Sequence, residues 1–208
     1  MTMFHDGNRR LQDSFDGRRI ADRLAETRMH AAFTADDRAF IESVPFFFLA
    51  TAHDGTVDCS YKGGLPGFVR VTRASTLEFP DYDGNSMYKS LGNLLKSPSV
   101  GLLFIRFDGR RGRLRVNGQA RLIDDPDRIA TIDGARLIVE VTAEHIFPNC
   151  PRYIPEMEMG EASVYAPRRG HQPPQPEWKH RDYLRDYIPE RDKDQVFSNL
   201  KLDRNPEA

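Results

Sequence analysis

The run RLRVNGQARLI at 113–123 alternates without a break. Leu114, Val116, Gly118, Ala120 and Leu122 fall on one side, and Arg113, Arg115, Asn117, Gln119 and Arg121 on the other. A period of two belongs to a strand with one buried face, and no helix can use it. The apolar side is mostly small, with Gly118 and Ala120 in the middle, which suits a tightly curved wall. The strand therefore belongs to a curved sheet closed over its core.

The neighbouring segments supply that sheet. PFFFLATAH is a buried apolar run, and the Asp54–Gly55 pair marks a hairpin turn into TVDCSYK. GFVRVT and STLEFP follow, separated by a turn at 73–75. SVGLLFIRF is apolar on both faces of the pleat, which predicts a strand with neighbours on each side. GRR at 109–111 turns the chain into the alternating strand, and DDPDRIA leads to ARLIVEVTAEHIF, with Leu137, Val139, Val141 and Ala143 on one face. About seven strands in hairpin succession, without parallel α/β alternation, predict a mainly β protein, an antiparallel barrel with flanking helices.

Helical spacing is confined to short stretches. GRRIADRLAET places Ile20, Ala21 and Leu24 on one face. FTADD predicts a helix capped by Thr34, with Asp36 and Asp37 in its first turn, burying Phe40, Ile41 and Val44. In GNSMYKSLGNLLK, Met87, Leu91, Leu94 and Leu95 form a stripe, and Asn85 or Ser86 is the expected N-cap. Beyond residue 147 the texture changes, since nine of the fourteen prolines lie in the last 61 residues. Proline at that density excludes continuous sheet or long helix. Trp178 and four tyrosines argue against a disordered tail. The expected organisation is a domain over 1–147 and an extension over 148–208 that wraps the barrel or a partner subunit.

Charge narrows the function classes. A net charge of −1 gives no global attraction to nucleic acid or an anionic membrane. The arginine row of 113–121 has no aromatic platform beside it for stacking bases. Apolar runs such as 44–50 fall well short of the roughly 20 residues that span a bilayer, and the N-terminus is too charged for a secretory signal, so the expected location is cytoplasmic. Cys59 and Cys150 are too few for a disulfide framework. Cys59 is expected to point away from Ser60 into the core, and Cys150 to be a packed, inert side chain. The six histidines make no metal-ligand cluster, so no metal is assigned.

The segment DYDGNSMYKSLGNLLKSP at 81–98 opens a helix, whose first N–H groups favour an anion, with Lys89 one turn in. On the strand from Thr56 to Lys62, Asp58, Ser60 and Lys62 share a face, so a hydroxyl and an ammonium could meet the same anion. A solvated strand face and an ordinary capped helix would carry the same residues, so spacing alone leaves both readings open.

The ordered set FFFLATAHDGTVDCSYKGGLPGFVRV, TLEFPDYDGNSMYKSLGNLLKSPSVGLLF and LRVNGQARLI resembles the pyridoxamine 5'-phosphate oxidase-like flavoproteins, the FMN-binding split barrels, across residues 40–147. FPNCPRY and PEW resemble one bacterial branch of that family. The resemblance implies FMN in a groove at the interface of a homodimer. Its phosphate would be held by Ser60, Tyr61 and Lys62 and by the turn at Asn85, Ser86 and Lys89. Phe79, Pro80 and Asp81 would pass beside the flavin ring, with Phe68 and Val69 near it and Arg113 or Arg115 approaching from the partner chain. The family's vitamin B6 oxidases carry an Arg and Lys pair where this chain has NSMYK, and their C-terminal RxRL segment has no counterpart in EWKHRDYLRDYIPERD. The implied activity is an FMN-dependent oxidoreduction of a small organic substrate with a reduced nicotinamide or another donor. The alternatives are a non-catalytic flavin- or haem-related binding protein on the same fold, or a dimeric scaffold with no cofactor. A flavin carries its own redox chemistry, so no catalytic side chain is assigned.

Overall fold

The structure is a computed structural model, and it describes residues 3–109 and 111–193. The expected turn at 109–111 thus has its middle residue outside the described ones, as does the end of the C-terminal extension. The chain divides into two compact units, 1–169 and 170–208.

In the first unit, seven strands form one antiparallel sheet in the order β2-β1-β5-β6-β7-β4-β3. They are β1 (Phe46–His53), β2 (Thr56–Gly63), β3 (Arg70–Arg73), β4 (Thr76–Asp81), β5 (Ser99–Arg106), β6 (Gly112–Ile123) and β7 (Leu137–Asn149). The β1–β2 hairpin turns at Asp54 and Gly55, both at positive φ, the requirement of a two-residue turn that matches strand twist. β5 has β1 on one side and β6 on the other, as its two-faced apolarity predicts.

The sheet curves without closing. β2 and β3 end the strand order, and no pairing joins them among the described residues, so the expected barrel is split along that line. Curvature comes from β6, whose register shifts against β7 between Asn117 and Gly118. A side chain on Gly118 would put its Cβ 2.1 Å from the Thr142 carbonyl oxygen, so only glycine fits the close approach. Phe47 sits at the centre of the core with Phe79 edge-on at 4.9 Å and Phe104 at 5.1 Å between ring centroids. Leu49, Val116, Val139, Val141 and Ile146 complete it without solvent exposure.

Among the described residues of the first unit, the helices beside the sheet are α1 (Asp6–Ser14), α2 (Arg18–Arg28), α3 (Ala35–Ser43), α4 (Lys89–Leu94) and α5 (Pro126–Ile129). Thr34 caps α3 in a reciprocal box with Asp37. α3 buries Ile41 and seats Val44 and Phe40 against the core. Its Glu42 accepts a hydrogen bond from the Val71 N–H at 3.1 Å, satisfying a donor on the edge strand β3. α2 matches the spacing of Ile20 and Leu24, but both remain at least half exposed. α1 was not legible in the apolar pattern; it is started by His5, which accepts from the Gly7 N–H while Asn8 reaches back to the His5 N–H. The strand β7 carries on past residue 147 to Asn149, so the first unit takes in part of the expected extension.

The second unit is described as far as residue 193. It contains two short 3-10 turns, at Glu177–His180 and Asp182–Leu184. Its buried Lys179 is matched by Asp192 at 2.9 Å, the pairing a buried ammonium requires.

Candidate functional site

The pairing of β2 with β1 decides which β2 side chains face inward. Asp58, Ser60 and Lys62 stand opposite Thr51, Leu49 and Phe47, whose side chains are buried. These three β2 side chains open into a cleft of about 610 Å³, closed by the end of β4, the turn over 82–88 and the start of α4. Phe68, Pro80 and Leu91 form its apolar wall.

A hydrogen-bond chain crosses the floor. The Ser90 hydroxyl donates to Asp58 Oδ2 at 2.5 Å, and Ser60 Oγ lies 2.8 Å from Ser90 Oγ. Ser90 has one proton and directs it at Asp58, so Ser60 is the donor in the second bond. Ser60 can turn that proton to an incoming oxygen without breaking the Ser90–Asp58 link. Lys62 Nζ is 3.8 Å from Asp81 Oδ1. Burial pushes the Asp81 carboxyl above its usual range, and Asp83 adds to this, while Lys62 and Arg136 pull the other way. Arg136 is in turn ion-paired with Asp83. Tyr82, beside them, is pushed up by burial and by Asp133, against the pull of Arg70, so it stays a neutral hydroxyl.

The turn over 82–88 departs from expectation. Asn85 Oδ1 accepts from the Met87 N–H at 3.0 Å, an Asx turn rather than a helix cap. Ser86 and Tyr88 adopt positive φ, which keeps the chain out of the helix until Lys89. The cap is Tyr88, without a side-chain hydrogen bond, and the helix is six residues long. The stripe is correspondingly short: Leu91 and Leu94 are buried, whereas Met87 is 67% and Leu95 72% exposed.

Of the residues singled out from sequence, Ser60, Tyr61, Lys62, Phe68, Pro80, Asp81, Asn85, Ser86 and Lys89 line this one cleft. Val69 and Phe79 do not; both are fully buried and back the wall from the core. Arg113 and Arg115 lie on β6 and line no part of it. Arg113 is half-buried with its Nε unpartnered, and Arg115 lies over the Phe147 ring. Ser90, Tyr82 and Asp83 were missed. Ser90 lies outside the predicted stripe of Met87, Leu91, Leu94 and Leu95, and only its contact with β2, 30 residues away, gives it a role. Cys59 points away from Ser60 as parity demands, but that side is the outside of the sheet, and the thiol is exposed. Cys150 is exposed as well, contrary to a packed corner. Among the described residues no three His, Cys, Asp or Glu side chains gather to hold a metal, and no helix is long and apolar enough to cross a membrane.

Solved structures that superpose on the chain include HupZ of Group A Streptococcus, at 12% identity and a TM-score of 0.43, covering 62% of this chain and 99% of that one. A conserved hypothetical protein of Mycobacterium tuberculosis matches at 15% and 0.44, covering 64% and 96%. The FAD binding protein of Mycobacterium smegmatis matches at 18% and 0.41, covering 58% and 97%. No curated protein matches the sequence. The family described as Pyridoxamine 5'-phosphate oxidase matches residues 33–157. That span runs from the cap of α3 through β7 and holds every strand and every residue of the cleft. The chain belongs to the pyridoxamine 5'-phosphate oxidase family.

Proposed function

We propose that the cleft binds FMN and that the protein is an FMN-dependent oxidoreductase acting on a small organic substrate. One observation carries this reading: Ser60, Lys62 and Lys89 converge with the apolar wall of Phe68, Pro80 and Leu91 in a single cleft of about 610 Å³. That is the size and mixture of surfaces expected of a cofactor site. The fit has to survive three carboxylates in the same lining. Asp58 is held by Ser90, Asp83 by Arg136, and Asp81 by Lys62 together with its burial. Asp58 is thus hydrogen-bonded and Asp83 ion-paired, and at 3.8 Å Lys62 lies beyond hydrogen-bond reach of Asp81, which leaves the donors of Lys62, the Lys89 ammonium and the Ser60 proton for a phosphate.

Ser60, Lys62, Lys89 and the turn at Asn85 and Ser86 would hold the phosphate, while Phe68, Pro80 and Asp81 border the ring. When bound, the flavin supplies the electron transfer, taking electrons from a reduced nicotinamide or another donor and passing them to a small-molecule acceptor. The chain's own part is to bind, orient and keep water out. Val69 and Phe79 contribute by making the wall rigid from behind.

A homodimer belongs to the same reading. The outer face of β2, β1 and β5 presents Val57, Cys59 and Tyr61 beside Ala50, Ala52 and Leu103, aligned by their strand pairing. Val57 is 82% exposed there, on an apolar patch that calls for a cover. Arg113 and Arg115 would then approach the cleft of the partner subunit.

The test begins with the visible absorption spectrum of the purified protein and mass identification of what denaturation releases, followed by FMN titration. Lys62→Ala combined with Lys89→Ala is expected to weaken FMN at least tenfold, roughly the loss of one charge-assisted contact. Unchanged affinity in that variant would remove the phosphate assignment. Reduction of the bound flavin by NADH or NADPH, with turnover on an added acceptor, separates an enzyme from a flavin- or haem-related storage or sensing protein.

A further inference from the structure

A second cleft, of about 690 Å³, adjoins the first. Tyr61, Gly63, Tyr82 and Asp83 line both, so the two share a wall. The shared wall depends on a glycine pair. A Cβ on Gly63 would fall 2.7 Å from the Tyr61 ring, and one on Gly64 would fall 2.6 Å from the Phe68 ring. The two rings therefore lie directly on bare backbone. Tyr61 is further fixed by stacking on Phe46, with centroids 5.4 Å apart and planes at 20°.

The far side is formed by the segment 159–167, which is tied down at both ends. The Met157 N–H donates to the Phe107 carbonyl at 3.1 Å. At the other end Ala166 is buried, and Pro167 packs where a Cβ on Gly134 would come within 2.6 Å. Between these anchors Met159 and Tyr165 line the cleft while staying about half exposed. Large apolar side chains held beside a cavity leave a surface that a ligand would cover.

The charges of the two clefts differ. The first carries Lys62 and Lys89; the second has no lysine or arginine in its lining, and its charged side chains are Asp83 and Glu161. We propose that this second cleft is the substrate site, and that it selects a planar aromatic molecule that is uncharged or cationic and carries no phosphate or carboxylate. Tyr61, Tyr82 and Tyr165 bring aromatic surface to the lining, which attracts both aromatic rings and cations. Glu161 repels an anion. A phosphorylated substrate would find no lysine or arginine among the described lining residues of this cleft. Calling the occupant a substrate rests on the FMN reading of the first cleft; the charge and shape preference does not.

The experiment is calorimetric titration of the full chain, with and without FMN, using two matched probes, N-methylquinolinium and quinoline-4-carboxylate. The cation is expected to bind at least tenfold more tightly than the anion. Tyr165→Ala is expected to weaken the cation about tenfold, as loss of an aromatic anchor does. Glu161→Lys should abolish or invert the preference, and Glu161→Gln should reduce it. Both positions are exposed, and FMN affinity should stay unchanged in all three variants. Equal binding of the two probes, or a preference that survives Glu161→Lys, overturns the proposal even when FMN binds. Discrimination between the probes in a protein that takes up no FMN supports the cleft's selectivity and sinks the flavin reading instead.

Discussion

Glu78 and Glu140 stand directly opposite each other across β4 and β7, both buried. Like charges at such positions are destabilising, and the sheet answers with arginines. Arg70 on β3 faces Glu78 at 2.8 Å, and Arg121 on β6 faces Glu140 at 2.7 Å. The row across four strands therefore reads Arg, Glu, Glu, Arg. Arg128 from α5 reaches the middle, 2.5 Å from Glu78 and 3.8 Å from Glu140. Replacing Arg128 with Ala should destabilise the fold by about 2–4 kcal/mol, since two buried carboxylates then face one another less compensated. Adding Glu140→Gln should recover part of that loss. Urea denaturation of the single and double variants checks it, and additive effects would mean that the carboxylates do not feel each other.

Gly118 sits where β6 shifts register against β7, and its missing side chain is required by the Thr142 carbonyl. Gly118→Ala should cost about 1–3 kcal/mol or more, because backbone must move on one of two long strands. The thermal midpoint should fall by several degrees, and a midpoint equal to wild type would show that the bulge has room to relax.

The same stretch shows how far local pattern can be read. The alternation of 113–123 gave β6 its span and buried face, because a period of two leaves a strong signature when one face is apolar. Parity on β2 brought Asp58, Ser60 and Lys62 to one side, and the structure joins Asp58 and Ser60 through Ser90. Parity could not say what lay on the opposite side. Cys59 faces outward because the other face of β2, with Asp58, Ser60 and Lys62, is the one that lies beside the buried Thr51, Leu49 and Phe47, and which face becomes covered is a property of the whole chain. The helix start failed for a different reason. Ser86 and Tyr88 hold a left-handed conformation without being glycine, a choice made by the surrounding turn rather than by residue type. The split in the barrel left no mark on the local pattern, since local turns do not reveal whether the first and last edges meet; the family resemblance alone implied it.

Asp81 makes the pH dependence testable. Its folded-state carboxyl lies above the ordinary 3.8, with burial as the leading cause. Between 3.8 and the raised folded value, the native state holds a proton that the unfolded chain has lost. Stability from this group is therefore full below 3.8 and declines as the pH rises through the folded value. Asp81→Asn stays neutral throughout and should escape that decline. Urea midpoints of the flavin-free protein from about pH 4 to about pH 8 should show the variant gaining on wild type as pH rises. A gap that instead widens on acidification would mean that the ion pair with Lys62 outweighs burial.

Val57 tests the dimer without touching the cleft. It sits near the start of β2, beside Ala52 of β1, on the outer face with Cys59 and Tyr61, and it does not line the first cleft. An aspartate there puts a charge at the centre of any apolar contact between two copies, yet in a monomer it meets only water. Val57→Asp should leave the folded monomer intact while shifting the mass measured by light scattering from two chains to one. If each cleft needs side chains from the partner, FMN affinity should fall together with the dimer, although Ser60, Lys62 and Lys89 are unaltered. A variant that is monomeric yet binds FMN as tightly as wild type would mean that one chain completes the site alone, and would leave Arg113 and Arg115 without a role in it.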